Sequence, residues 1–88
     1  MNRREHLLTI LGEECSELHQ EACKIQRFAY DTDKRGRLQH EFNDILALVE
    51  MLADEGISIY KQKHLIDAKK EKVEKYLLES KNLGTLGD

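Results

Sequence analysis

The sequence predicts an all-α fold, a three-helix antiparallel protomer that completes its core by forming a helical-bundle oligomer. Apolar residues recur at spacings of three and four along most of the chain, and no stretch follows the two-residue period of a strand. No proline occurs among the 88 residues to break a helix. Charged residues make up 35% against 40% hydrophobic, a balance that suits amphipathic helices with wet outer faces. A chain this short buries a small share of its surface and has no disulfide framework, so association with further copies is the expected source of extra core.

The first helix is expected from near Asn2 to near Tyr30. Leu8, Leu11, Cys15, Leu18, Ala22, Ile25 and Ala29 form a heptad-like seam for packing against another helix. Gly12 lies inside it at a cost in propensity, which suggests a close approach of another element there. Asp31-Thr32-Asp33-Lys34-Arg35-Gly36 is polar, contains glycine and reads as a loop.

The second helix is expected over Arg37 to Glu55, with Leu38, Phe42, Ile45, Leu46, Leu48, Val49, Leu52 and Ala53 as its apolar positions. Gly56 is placed to stop it. Ser58 is expected to cap a third helix running to about Ser80, with the apolar row Ile59, Ile66, Val73 and Leu77. The tail from Asn82 to Asp88 reads as a frayed end or as a segment that docks on a neighbour. Short connections make consecutive helices antiparallel, and residues 1–88 form a single domain.

Composition narrows the function classes. A net charge of −3 argues against nucleic acid as a partner, because phosphate neutralisation needs a basic surface. Cys15 and Cys23 are eight residues apart, a helical rise of about 12 Å that no disulfide spans. They read as reduced, semi-buried residues of a cytoplasmic protein. No apolar run approaches the roughly 20 residues of a membrane span, and no long apolar segment follows Met1-Asn2-Arg3-Arg4 as in a signal peptide.

The acidic residues deserve placing on the helical wheel, where each residue advances about 100°. With Leu38 at zero, Ile45, Val49 and Leu52 fall within about 40° of it. Glu41 falls near 300°, inside the apolar arc, and Asp44 near 240°, on its margin. Asn43, Glu50 and Asp54 lie opposite the stripe. On the first helix Glu14, Glu17 and Glu21 form one stripe bracketed by Ile10 and Phe28. If the two helices pack along their seams, Glu14/Glu17 and Glu41/Asp44 converge. Clustered carboxylates are costly to bury unless something neutralises them, and Mg²⁺ or Mn²⁺ prefers such oxygen ligands. The pattern alone favours the plainer reading, a rim of salt-bridged acids around a bundle.

The chain carries Glu13-Glu14-Cys15-Ser16-Glu17, then the 23 residues Leu18 to His40, then Glu41-Phe42-Asn43-Asp44. This combination of E-E-x-x-E and E-x-x-D resembles the MazG-like all-α nucleoside triphosphate pyrophosphohydrolases. The similarity covers the first two helices well, and the third mainly in length and basic character. The resemblance implies Mg²⁺, with Mn²⁺ as the alternative, held by Glu14, Glu17, Glu41 and Asp44. Glu13 matches the motif's first glutamate and would orient water or support a ligand. It further implies cleavage of a nucleoside triphosphate to the monophosphate and pyrophosphate, a role such as nucleotide-pool cleansing, and a homodimer or homotetramer. Similar short members occur in bacteria and their phages.

Positive side chains should complete such a site. Lys69 and Lys70 flank the row of Ile66, Val73 and Leu77 and could reach phosphates, although lysine stems packed along an apolar row explain them equally well. Relatives often pair a lysine with an asparagine on the later helix, and on the third helix of this chain no asparagine appears before Asn82. His6, His19, His40 and His64 show no ligand spacing with one another. Tyr30, Tyr60 and Tyr76 are read as core or interface residues rather than base-stacking ones. No Glu-x-x-His and no Gly-rich phosphate loop occurs. Two other readings compete: a non-enzymatic helical oligomerisation or adaptor module, and a phosphoribosyl-ATP pyrophosphatase-like enzyme.

Overall fold

The computed structural model describes residues 1–84; Thr85 to Asp88, the last part of the tail expected to fray or to dock on a neighbour, lie outside the described residues. The chain folds as three α-helices, and no strand occurs among the described residues. Asn2 starts the first helix. Its side-chain oxygen accepts a hydrogen bond from the Glu5 amide at 2.8 Å, satisfying one of the donors that a helix start leaves open. Helix α1 then runs over Arg3–Phe28. Gly12 has open space where a Cβ would stand, so the close approach expected there is absent.

At the end of α1, Ala29 adopts φ 77° and ψ 162°, a conformation that only glycine enters without strain. The chain reverses through Ala29, Tyr30 and Asp31 alone. The segment 31–36, expected as a loop, is mostly helix. Asp31 Oδ1 accepts from the Lys34 amide at 2.7 Å, and Oδ2 takes the Lys34 ammonium at 2.6 Å. That makes Asp31 a complete N-cap, and Gly36 is simply carried inside helix α2, Thr32–Asp54.

The stop at Gly56 is as expected. Gly56 has φ 87°, its amide donates to the Ala53 carbonyl at 3.1 Å, and the Ile57 amide donates to the Leu52 carbonyl at 2.9 Å. This is a Schellman turn, and Ile57 packs against the Leu7, Leu48 and Leu52 cluster as such turns favour. The N-terminus of α1 clasps the same turn. Arg4 donates to the Glu55 carbonyl at 2.9 and 3.2 Å, and Arg3 Nε pairs with Glu55 Oε1 at 2.6 Å.

These contacts fix α1 and α2 as an antiparallel pair. The row of reduced exposure on α1 is Leu7, Leu11, Glu14, Leu18, Glu21 and Ile25. It shares Leu11, Leu18 and Ile25 with the expected seam but replaces Leu8, Cys15 and Ala22. Leu8 is 44% exposed, and Cys15, Ala22 and Ala29 are exposed too, so Cys15 is not semi-buried as expected. Cys23 is partly buried. The reason is the partner surface: fully buried Leu52 and buried Leu48 pack with Leu7, which rotates the contact face toward the acidic stripe.

Helix α3 covers Lys63–Asn82, starting five residues after Ser58. Its N-cap is Gln62, without a side-chain hydrogen bond, so Ser58 caps nothing. Ile59 and Tyr60 instead line a groove with the outer face of α2. No Cα of α3 comes within 8 Å of one in α1 or α2, and no residue of α3 is buried. The third helix therefore does not complete an antiparallel bundle within one chain. Tyr30, Tyr60 and Tyr76 are all exposed, so none of them is a core residue. No helix among the described residues is long and apolar enough to cross a membrane.

Candidate metal centre between the first two helices

Two turns along the seam from the leucine cluster, the facing positions turn acidic. Glu14 comes from α1, and Glu41 and Asp44 come from successive turns of α2. One carboxylate oxygen from each lies within 4.8 Å of the other two. The i, i+3 spacing of Glu41 and Asp44 sets both on one face of α2, and antiparallel packing brings Glu14 across to them. All three are partly buried, while Asn43, Glu50 and Asp54 on the opposite face are exposed.

Glu17, the fourth expected ligand, is exposed and lies outside this close group. It remains near enough to act on Glu41. Burial pushes the Glu41 carboxyl up to about 7, and the neighbouring Glu14 and Glu17 carboxylates push it the same way. Burial also raises Glu14, with Glu17 and Asp44 adding to the shift and Glu41 partly offsetting it. Buried Oε2 atoms of Glu14 and Glu41 have no hydrogen-bond partner. Such atoms are costly in a folded protein unless a ligand satisfies them.

The donor set suits a hard cation. Mg²⁺ takes carboxylate oxygens as ligands, and one oxygen from each of the three acids is already gathered across the seam. No histidine or cysteine joins this group, which disfavours a soft-metal centre.

Other expected residues lie apart from it. Glu13 is exposed, next to the cluster in sequence but turned about 100° around α1 from Glu14. Lys69 and Lys70 are exposed on α3 and line the apolar groove on the outer face of α2, which none of the four carboxylates lines. The structure does not bring them together with the carboxylates in one chain.

Glu21, read only as part of the acidic stripe of the first helix, and Arg37 and His40 were not assigned to the site from the sequence. Glu21, only 9% exposed, continues the Glu14 stripe by two turns. Lys24 Nζ lies 3.1 Å from its Oε1, and Arg37 Nε lies 3.4 Å from its Oε2. Arg37 also pairs with Asp33 at 2.9 Å. His40 Nε2 lies 3.4 Å from Asp44 Oδ2. An open cleft of about 560 Å³ runs from the Glu21–Arg37 pair past His40 to Glu41. The signal for Glu21 and Arg37 was the stripe continued across the seam. For His40 it was the i, i+4 relation to Asp44.

Comparison with family models, with curated proteins and with solved structures gives no match to this chain.

Proposed function

We propose that the protein is an Mg²⁺-dependent nucleoside triphosphate pyrophosphohydrolase, releasing the monophosphate and pyrophosphate. The observation that carries this reading is the meeting of Glu14, Glu41 and Asp44 across the seam, with buried unpartnered oxygens on Glu14 and Glu41. These residues belong to the two acidic motifs on which the family resemblance rests. The triphosphate substrate, the pool-cleansing role and a homodimer or homotetramer come from the resemblance.

In this reading Glu14, Glu41 and Asp44 hold the cation, with Mn²⁺ as the alternative, and Glu17 joins them from the exposed edge. Bound Mg²⁺ supplies neutralisation of phosphate charge and acidification of a water. The chain's own part is to hold these carboxylates converged, so that little reorganisation is needed when the cation and substrate arrive. From the resemblance alone, Glu13 would orient water or support a ligand. The cleft beside Glu41 gives a triphosphate an open approach, with Arg37 and His40 on its wall. Lys69 and Lys70 enter as phosphate-binding residues from the resemblance alone.

Incubation with canonical and modified nucleoside triphosphates plus Mg²⁺, with detection of pyrophosphate, tests the reading. The expected result is turnover of at least one triphosphate, lost in Asp44→Asn. A panel with no turnover at all, or turnover unchanged by that substitution, would sink it. Phosphoribosyl-ATP in the same panel separates the related pyrophosphatase activity.

A further inference from the structure

Residues seven apart on α1 carry different tasks. Seven residues make two helical turns less about 20°, so Leu7, Glu14 and Glu21 stand in one line, each about 10 Å from the next. Helix α2 answers them in reverse order: Leu52 and Leu48 against Leu7, Glu41 and Asp44 against Glu14, and Arg37 against Glu21. The acidic group therefore lies between two fastenings of the seam.

The two fastenings differ in kind. At one end the leucines are buried and Arg3 and Arg4 clasp Glu55. At the other end Leu18, Ile25 and Leu38 are only partly buried, so apolar packing holds the helices less firmly. There Glu21 is buried, with Oε2 3.4 Å from Arg37 Nε across the seam and Oε1 3.1 Å from Lys24 Nζ on its own helix. Arg37 is steadied in turn by Asp33, one turn back on α2, at 2.9 Å. Between the fastenings, like charges facing one another across the seam push the helices apart. A roll of α1 by one residue is about 100°, enough to take Glu14 away from Glu41 and Asp44.

We infer that Arg37 is a positioning residue for the cation, acting through Glu21: their ion pair sets the spacing and roll of α1 against α2 so that Glu14 reaches Glu41 and Asp44. The inference rests on the cation site of the reading above and not on its triphosphate substrate. It has a sign that simple electrostatics does not share. Arg37 lies one turn from Glu41, and a positive charge so close opposes binding of a second cation, so its removal should by charge alone tighten the site. If Arg37 instead holds the ligands together, its removal weakens the site, as loss of a group that orients metal ligands usually does.

Titration of the full chain with Mn²⁺ alone, followed by the electron paramagnetic resonance signal of the free ion, tests it. Arg37→Gln should weaken Mn²⁺ binding by about tenfold while circular dichroism shows the helices intact. Glu21→Gln should weaken it to a similar extent. The double variant should lose no more than either single one, because both substitutions remove the same contact. Unchanged or tighter Mn²⁺ binding in Arg37→Gln overturns the inference, even if its melting midpoint falls, and so do two losses that multiply in the double variant. If Arg37→Gln fails to fold, Glu21→Gln decides, since it leaves no buried charge behind, and an unchanged affinity there overturns the inference. A wild type that binds no Mn²⁺ removes the cation site and this inference together, whereas a Mn²⁺ site indifferent to Arg37 removes the inference alone.

Discussion

Toward the N-terminus of α1, the seam between the first two helices closes on Leu7, Leu48 and Leu52, clasped by Arg3 and Arg4 on Glu55. Two turns further along the same faces, Glu14, Glu41 and Asp44 occupy positions equivalent to those leucines. The first region gains free energy by removing apolar surface from water. The second brings carboxylates out of water without protein partners for all their oxygens. One region therefore stabilises the helix pair, and the other draws on that stability to keep a charged site formed. This division is common where function requires local conflict with folding.

The contrast can be broken most strongly at its apolar end. Leu52 is fully buried, so Leu52→Ala should destabilise the protein by about 2–5 kcal/mol, read as a lowered urea midpoint. For so small a core that is a large share of the total stability. A change below about 1 kcal/mol would mean the leucine cluster is not the anchor.

The acidic end should respond with the opposite sign. Glu41 is pushed up to about 7 when folded from an ordinary value of 4.5, so between these values the folded state holds a proton that the unfolded state has lost. Its favourable contribution is complete below the unfolded value and disappears as pH rises through 7. In EDTA, the melting midpoint should therefore fall between pH 5 and pH 7.5, and Glu41→Gln should flatten that fall and raise the midpoint at pH 7.5. Asp31, lowered chiefly by the Lys34 ammonium, stays ionised throughout this range and does not contribute to the slope. Saturating Mg²⁺ should raise the wild-type midpoint at pH 7.5 by mass action, and not that of Glu41→Gln. A pH-independent midpoint, or Mg²⁺ stabilisation that survives the substitution, would contradict the picture of a buried acidic site.

Smaller effects sharpen the framework that holds both regions. Ala29→Gly relieves the positive φ at the turn and should stabilise by about 1 kcal/mol, provided the strain relieved exceeds the added freedom of the unfolded chain. Gly12→Ala meets open space within α1 and should add about 0.5–1 kcal/mol, seen as a slightly higher thermal midpoint. A loss at Gly12 would point to a partner surface closing over that side of α1.

Much of this was legible from periodicity. The spacing of apolar residues located three helices, Gly56 marked the end of α2, and the wheel placed Glu41 within an apolar arc. All of these depend on local chemistry that a sequence carries directly. The reading failed where two local solutions were nearly equal. Asp31 to Gly36 has loop composition, but Asp31 followed by Lys34 is also a capping pair, and the two hydrogen bonds it makes tipped the segment into helix. At the other boundary, the Schellman turn ends at Ile57, Ile59 and Tyr60 line the groove beside α2, and α3 starts only at Lys63.

By itself, then, the sequence determined helices, their order and the acidic character of one stretch, because those follow from residue types repeating along one backbone. Only the tertiary structure decided which of two overlapping rows on α1 faces α2. The rows share Leu11, Leu18 and Ile25 and differ by one residue between, a rotation that no wheel can resolve. Packing of Leu7 with Leu48 and Leu52, with Glu21 held by Arg37, turned the helix so that Glu14 rather than Cys15 meets Glu41 and Asp44. The same choice left Glu17 at the edge.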